Sequence, residues 1–397
     1  MNNLNNKSSS MKDFILLDHP YVFLATSAMS LVGILLAQST RSPFSILANH
    51  YKVEQVMFYI LVAWIVISLL ALISKIKLKG EYGTSSLFVS DGAKKLERIG
   101  SYVVWVCVAV LAYDRVVMYL AYSFDYAVHA DANPQGFIPS AFYMLYQGRD
   151  VFITGIKTTV ELSVFGTLIA FVLSLLLTFL RVQKLDRHDN DFVRFLKTVG
   201  CGFAKVYSSV VRGTPMMIQG LIIYFAGFSI LLNSGMSSTE ASSVWSTFTA
   251  GLITVSMNST AYMMEVLRGG IESIDKGQME AARSLGLSQW QAMRKVIFPQ
   301  GVKNAIPALS NELVVNIKDS SVLSVIGVFD LMFATTTVAG IYYRQMEIYV
   351  LAAIMYFILT MVASLILNRL ARRLEVENRP LLSTCDMEVV SPVKKEA

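Results

Sequence analysis

The chain has 397 residues, 54% of them hydrophobic, and a formal net charge of +6. A soluble protein of that length would divide into two or three domains, but here the mean hydropathy is +0.52 and the apolar residues come in runs near bilayer length, about 20 residues for a hydrocarbon core of roughly 30 Å. The basic residues flank those runs, which argues for membrane orientation and against nucleic acid as a partner.

In chain order, the polar start 1–20 carries Lys7, Lys12, Asp13 and Asp18 and offers no small-residue cleavage site, so the apolar run 21–37 reads as a retained first span. Runs at 57–73 and 102–122 follow, completing a three-helix membrane extension over 21–122. A loop at 123–153, with Asp125, Asp131, Pro134, Gly136 and Pro139, separates it from the rest. Further spans are expected at 158–180, 216–232, 244–267, 322–339 and 348–367, the seventh interrupted by Asp330, before a tail at 372–397. The expected fold is an all-α integral membrane protein with about eight transmembrane helices. No internal repeat marks an inverted-repeat secondary transporter.

Lysine and arginine set the orientation. Lys75, Lys77, Lys79, Lys94, Lys95 and Arg98 follow the second span. Arg181, Lys184, Arg187, Arg194, Lys197, Lys205 and Arg212 follow the fourth. Arg268, Lys276, Arg283, Arg294, Lys295 and Lys303 follow the sixth, and Arg369, Arg372 and Arg373 open the tail. The alternate loops are poorer, so the basic loops and both termini are placed in the cytoplasm and the 123–153 loop outside.

Cys107, Cys201 and Cys385 have no metal or disulfide spacing. His19, His50, His129 and His188 are scattered over loops on opposite sides and cannot form one metal site. No cofactor is expected.

The stretch 278–300, QMEAARSLGLSQWQAMRKVIFPQ, is a polar island between apolar spans. Residues 278–285 read as a short helix. Gly286 suits the left-handed position that closes one. Ser288 with Gln291 makes a capping box for a second helix, which carries Trp290, Met293 and Ile297 on one side and is broken by Pro299. Ala281 and Ala282 keep one surface thin enough for close approach, and Glu280 sits near a helix N-terminus that favours acids. Chemistry alone leaves two readings open, a docking element and an amphipathic loop resting on the membrane.

The pattern EAA, then Gly286, then Ile297-Phe298-Pro299, resembles the EAA loop of ABC importer permeases. Residues 261–300 resemble the polar amino acid subfamily, as do VYSSVVRGTPMMIQGLIIYF at 206–225 and NIKDSSVLSVIG at 316–327. The similarity spans roughly 154–371, with FPQ in place of the more usual LPQ; the amino-terminal extension lies outside it. It implies a five-helix core of the type I ABC importer permease fold carrying a three-helix extension, in the bacterial cytoplasmic (inner) membrane. It also implies cytoplasmic ABC ATPase subunits, an extracytoplasmic solute-binding protein, a second permease chain and an amino acid as solute. Carried over by position, Glu280, Ala281, Ala282, Gly286, Ile297 and Pro299 belong to the ATPase-coupling loop, which transmits a rigid-body movement.

No phosphate-cradling Gly-rich loop is present, so this chain is not itself an enzyme and ATP hydrolysis falls to a partner. Glu161, near the outer end of the fourth span, is a candidate for the solute path, with an interfacial acid as the alternative. Glu265 and Arg268 are spaced to pair on one helix face. Arg212 in the RGTP turn, Lys318 and Asp319 are candidates for gating or local structure. The rival function is an ATP-independent secondary transporter or channel, but the spans supply few buried ionisable groups for it.

Overall fold

The computed structural model describes residues 19–78, 81–183, 185 and 189–376. The polar start at 1–18 with Lys7 and Lys12, the basic residues Lys79, Lys184 and Arg187, His188, and the tail from 377 with Cys385 lie outside the described residues. Among the described residues every regular element is a helix, and the chain divides into two compact units, Met1–Tyr146 and Gln147–Ala397.

In the first unit, α1 (His19–Gln38) packs on α2 (Tyr51–Leu78) and α3 (Asp91–Ala112). Lipid is as apolar as leucine, so helices in a bilayer are held by close packing and interhelical hydrogen bonds rather than by exclusion of water. Both devices are present. Gly33 of α1 lies against Leu61 and Val108, and Gly100 of α3 lies under the Trp64 indole. The Ser30 hydroxyl donates to the Leu61 carbonyl at 2.8 Å, and the Thr26 and Ser101 hydroxyls pair at 3.0 Å.

Helix α3 continues through a π-turn, Tyr113–Val117, into α4 (Met118–His129). The turn carries Asp114 and Arg115, both buried. Arg115 pairs with Asp114 at 2.8 Å and with Glu54 of α2, while Arg41 reaches Glu54 at 2.7 Å. The Ser45 hydroxyl and the Leu47 amide both donate to the Asp114 carboxylate. Buried charges persist only when paired and hydrogen-bonded, and these four form a neutral clasp. The loop expected at 123–153 is mostly helix: α4 runs to His129, α5 spans Phe137–Gln147, and α6 begins at Arg149. Pro134 and Gly136 confine the break to a short stretch. Pro139 falls in the first turn of α5, where its missing amide costs nothing.

The second unit is built on α6 (Arg149–Val182) and α10 (Thr247–Glu272), which pack along one another. Gly166 meets Val255, and Gly251 meets Leu323 and Leu162. The Asn316 side chain ties three elements together, accepting from Ser259 at 2.7 Å and donating to Thr167 at 2.8 Å. Residues 191–213, expected as cytoplasmic loop, form helix α7 (Asp191–Gly213), opened by Asn190, whose side chain accepts the Val193 amide. Then come α8 (Met216–Asn233) and the short α9 (Ser238–Val244) before α10.

Among the described residues, five helices are long and apolar enough to cross a membrane, Tyr51–Leu78, Asp91–His129, Arg149–Val182, Met216–Asn233 and Gln345–Leu370, or six if one bent pair counts as a span. The expected first span is a helix apolar over Val22–Gln38, shorter than the rest. The expected sixth lies in α10, whose Thr254, Ser256, Asn258, Ser259 and Thr260 are buried in protein rather than turned to lipid. The expected seventh span is not one continuous helix. The segment Gln289–Ile326 meets Leu331–Tyr342 at 54°. Gly327 is left-handed at φ +85°, and Asp330 begins a new helix, its carboxylate accepting the Phe333 amide at 2.8 Å. An aspartate within an apolar run here is a helix start. The last helix runs to Val376, into the stretch expected as tail.

Candidate functional site

The polar island folds as two short helices joined by a tight turn. Helix α10 ends at Glu272, and Asp275 caps α11 (Lys276–Ser284), its carboxylate accepting the Gly277 amide at 2.6 Å. Two bonds close α11: the Gly286 amide to the Arg283 carbonyl at 3.0 Å, and the Leu287 amide to the Ala282 carbonyl at 3.3 Å. This is a Schellman closure, which needs a left-handed residue between helix and exit; Gly286 supplies it at φ +84°. The next helix, α12 (Gln289–Ala292), opens with the capping box. The Gln291 amide donates to the Ser288 hydroxyl, and the Ser288 amide to the Gln291 side chain.

Beyond α12 the structure departs from expectation. Pro299 does not end the helix. The chain passes through a second π-turn, Met293–Ile297, into α13 (Phe298–Asp319), with Pro299 in its first turn. A π-turn frees amides from the regular ladder, and proline needs no donor there. Trp290 does not share the buried side of Met293 and Ile297. The last two are buried with Ile271, packed by Val182, Met279 and Phe298. Trp290 is 41% exposed, with the Arg294 guanidinium 5.0 Å over its ring.

The segment therefore has an anchored base and a free outer face. Ala282 and Ile297 belong to the base, and Phe298 meets Phe179 of α6 edge-on at 5.3 Å. Gly270 and Gly301 allow α10 and α13 to touch: a Cβ on Gly270 would lie 2.5 Å from the Gly301 carbonyl oxygen. Glu280, Ala281, Gly286 and Pro299 are exposed, and Leu285 projects at 84% exposure.

The remaining candidates lie elsewhere. Glu161 is a half-exposed side chain 3.8 Å from Lys157, one turn away. Lys318 is exposed and Asp319 half-buried at the end of α13. Glu265 and Arg268 pair at 2.8 Å as their spacing predicts. Sequence reading missed that Glu265 also receives Arg181 of α6, Ser208 at 3.0 Å and Arg212 at 3.4 Å. The available signal was one carboxylate at the end of an uncharged run, with single arginines ending the neighbouring segments.

Residues 202–376 match the family model described as binding-protein-dependent transport system inner membrane component. The putative glutamine transport system permease protein GlnP of Rickettsia bellii is 36% identical over 224 residues, which is 56% of this chain and 93% of that protein. The glutamine transport system permease protein GlnP of Escherichia coli K12 is 35% identical over 224 residues, with the same shares of 56% and 93%. A crystal structure of an amino acid ABC transporter with histidines aligns with 35% identity and a TM-score of 0.48, over 58% of this chain and 98% of that one.

Proposed function

The chain belongs to the family of binding-protein-dependent transport system inner membrane components, and on that premise we propose that it is the membrane-spanning permease subunit of an ATP-driven ABC importer for amino acids. The observation that carries the proposal is the coupling segment, a helix–turn–helix capped at Asp275, Gly286 and Ser288 and fixed by a buried base. A rigid element with a small-residue outer face can take up a displacement from a partner and pass it on. Glu280, Ala281 and Gly286 meet a cytoplasmic ABC ATPase, while Ala282, Ile297 and Pro299 keep the segment's shape. ATP hydrolysis belongs to that separate chain.

A solute-binding protein delivers the solute from outside, and a second permease chain, identical or related, completes the path. The names of the relatives favour a polar amino acid. The transporter sits in the bacterial inner membrane with both termini cytoplasmic, as the basic loops indicate. The first unit, with its own buried clasp, is an extension to a permease core at 154–371. Arg212, Lys318 and Asp319 serve gating or local structure, and Glu161 is the candidate on the solute path.

The test is uptake of labelled amino acids by proteoliposomes holding the chain with its ATPase and binding protein. ATP-dependent uptake that requires both partners is the expected result. Uptake by the chain alone, without ATP, would overturn the reading in favour of a secondary transporter or channel.

A further inference from the structure

Next to the coupling segment, charged side chains form a ladder that its docking role does not use. Glu272 is the last residue of α10, three before the Asp275 that caps α11. Arg268 bonds both Glu272 and Glu265. The Glu265 side chain, 17% exposed, also accepts from Arg181 of α6 and Ser208 of α7. Arg212, in the last turn of α7, lies 3.4 Å from the same carboxylate and 5.4 Å over the Tyr262 ring. Pro215 follows at once and leads into α8.

Three guanidinium groups on three elements thus converge on one carboxylate. Their only shared acceptor among these contacts is Glu265; without it they would repel one another across a half-buried junction. The ladder begins at Glu272, where α10 ends three residues before the cap of α11, and ends at the turn between α7 and α8. We propose that Glu265 is a positioning residue for transport. It binds the ends of α6, α7 and α10 into one body, so that a displacement of α11 reaches α8 as a rigid shift rather than being lost at the α7 turn. Arg212, the most exposed of the three arginines at 42%, is the rung that reaches the α7 turn. This inference rests on the permease reading above and names residues of its linkage.

The test uses the complete transporter in proteoliposomes, with uptake and ATP hydrolysis measured together with and without solute-loaded binding protein. The variants are Glu265→Gln, Glu265→Asp, Arg212→Gln and the double Glu265→Gln/Arg212→Gln. In Glu265→Gln the ATPase co-purifies in wild-type proportion and hydrolysis continues. Uptake per ATP falls roughly 5–150-fold, the range of typical coupling energies. Glu265→Asp recovers part of it, and the double variant is no worse than the poorer single, because both act through one contact. Unchanged uptake per ATP in Glu265→Gln overturns the inference. So does a parallel loss of uptake and hydrolysis that tracks the amount of folded protein, or independent, multiplying losses in the double variant. A wild-type chain that transports without ATP overturns the permease reading and this inference with it, whereas a coupled wild type beside an equally coupled Glu265→Gln overturns the inference alone.

Discussion

The amide of Leu287 donates to the carbonyl of Ala282, 3.3 Å away, across the left-handed Gly286. That bond fixes where α11 stops and sends the chain back toward α12. It also holds Leu285 outward at the apex of the turn.

Replacing Gly286 with valine tests the turn. No neighbouring atom lies within 4 Å of a Cβ built there, so the cost is backbone strain alone, about 1–2 kcal/mol for an L-residue in the left-handed region. The variant is expected to insert and express normally while uptake in membrane vesicles drops several-fold. Gly286→Asn, which tolerates the left-handed region better, should lose less. Normal uptake by the valine variant at normal expression would show that the turn does not matter.

Glu280→Lys reverses an exposed charge in the middle of α11, which begins at Lys276 and so leaves Glu280 outside the first turn where the sequence suggests it. Beyond the first turn the helix-dipole effect has faded, and an exposed substitution there, worth about 0.5 kcal/mol or less, is too small to unfold a membrane protein. Recovery of the ATPase with the tagged permease should nonetheless fall. Undiminished co-purification would remove Glu280 from the docking face.

The neighbouring alanines separate packing from docking. Ala282 is 4% exposed within the base, whereas Ala281 faces out. Ala282→Leu should cost about 1–3 kcal/mol by overpacking, seen as a lower melting temperature in detergent. Ala281→Leu should leave melting unchanged and reduce ATPase recovery. Equal behaviour of the two would contradict the geometry of the segment.

Asp330 starts the helix Leu331–Tyr342 inside a buried setting. Asp330→Ala should lower stability by about 0.5–2 kcal/mol through loss of the cap, whereas Asp330→Asn keeps the acceptor and most of that stability. Thermal melting of the two purified variants distinguishes them. If asparagine proves as damaging as alanine, the charge matters and the cap is not the explanation.

In the first unit, Arg115→Met leaves the Glu54 and Asp114 carboxylates buried without their shared cation. Breaking such a pair costs roughly 3–5 kcal/mol. Accelerated proteolysis within residues 39–54, which the clasp holds in place, is the expected sign. A digestion pattern identical to wild type would mean the clasp is dispensable.

Where hydrogen bonding is local, sequence and structure agree. Gly286 and the Ser288–Gln291 box are legible because a left-handed closure and a capping box are completed within a few residues. The interruption at Asp330 was legible as a break, but its role as a cap needed the Phe333 amide in view. Two adjacent alanines look alike in the chain. Which one is buried depends on how α11 packs against the turn at Met293–Ile297, and that is tertiary packing. Convergence of Arg181, Arg212 and Arg268 on Glu265 was hidden because its members come from three separate elements. The clasp around Arg115 was hidden likewise, though an adjacent aspartate and arginine in an apolar run was its trace. Helix α7 was taken for loop because it is too polar on average to read as a span, although its apolar residues recur with a clear helical period.

The π-turn at Met293–Ile297 sets a phase. One extra residue turns everything before it by about 100°, the angular share of a residue at 3.6 per turn, relative to α13. The coupling helix thus faces a direction chosen by a single inserted position rather than by the identity of any side chain. A one-residue deletion there would keep every docking residue and aim them all the wrong way.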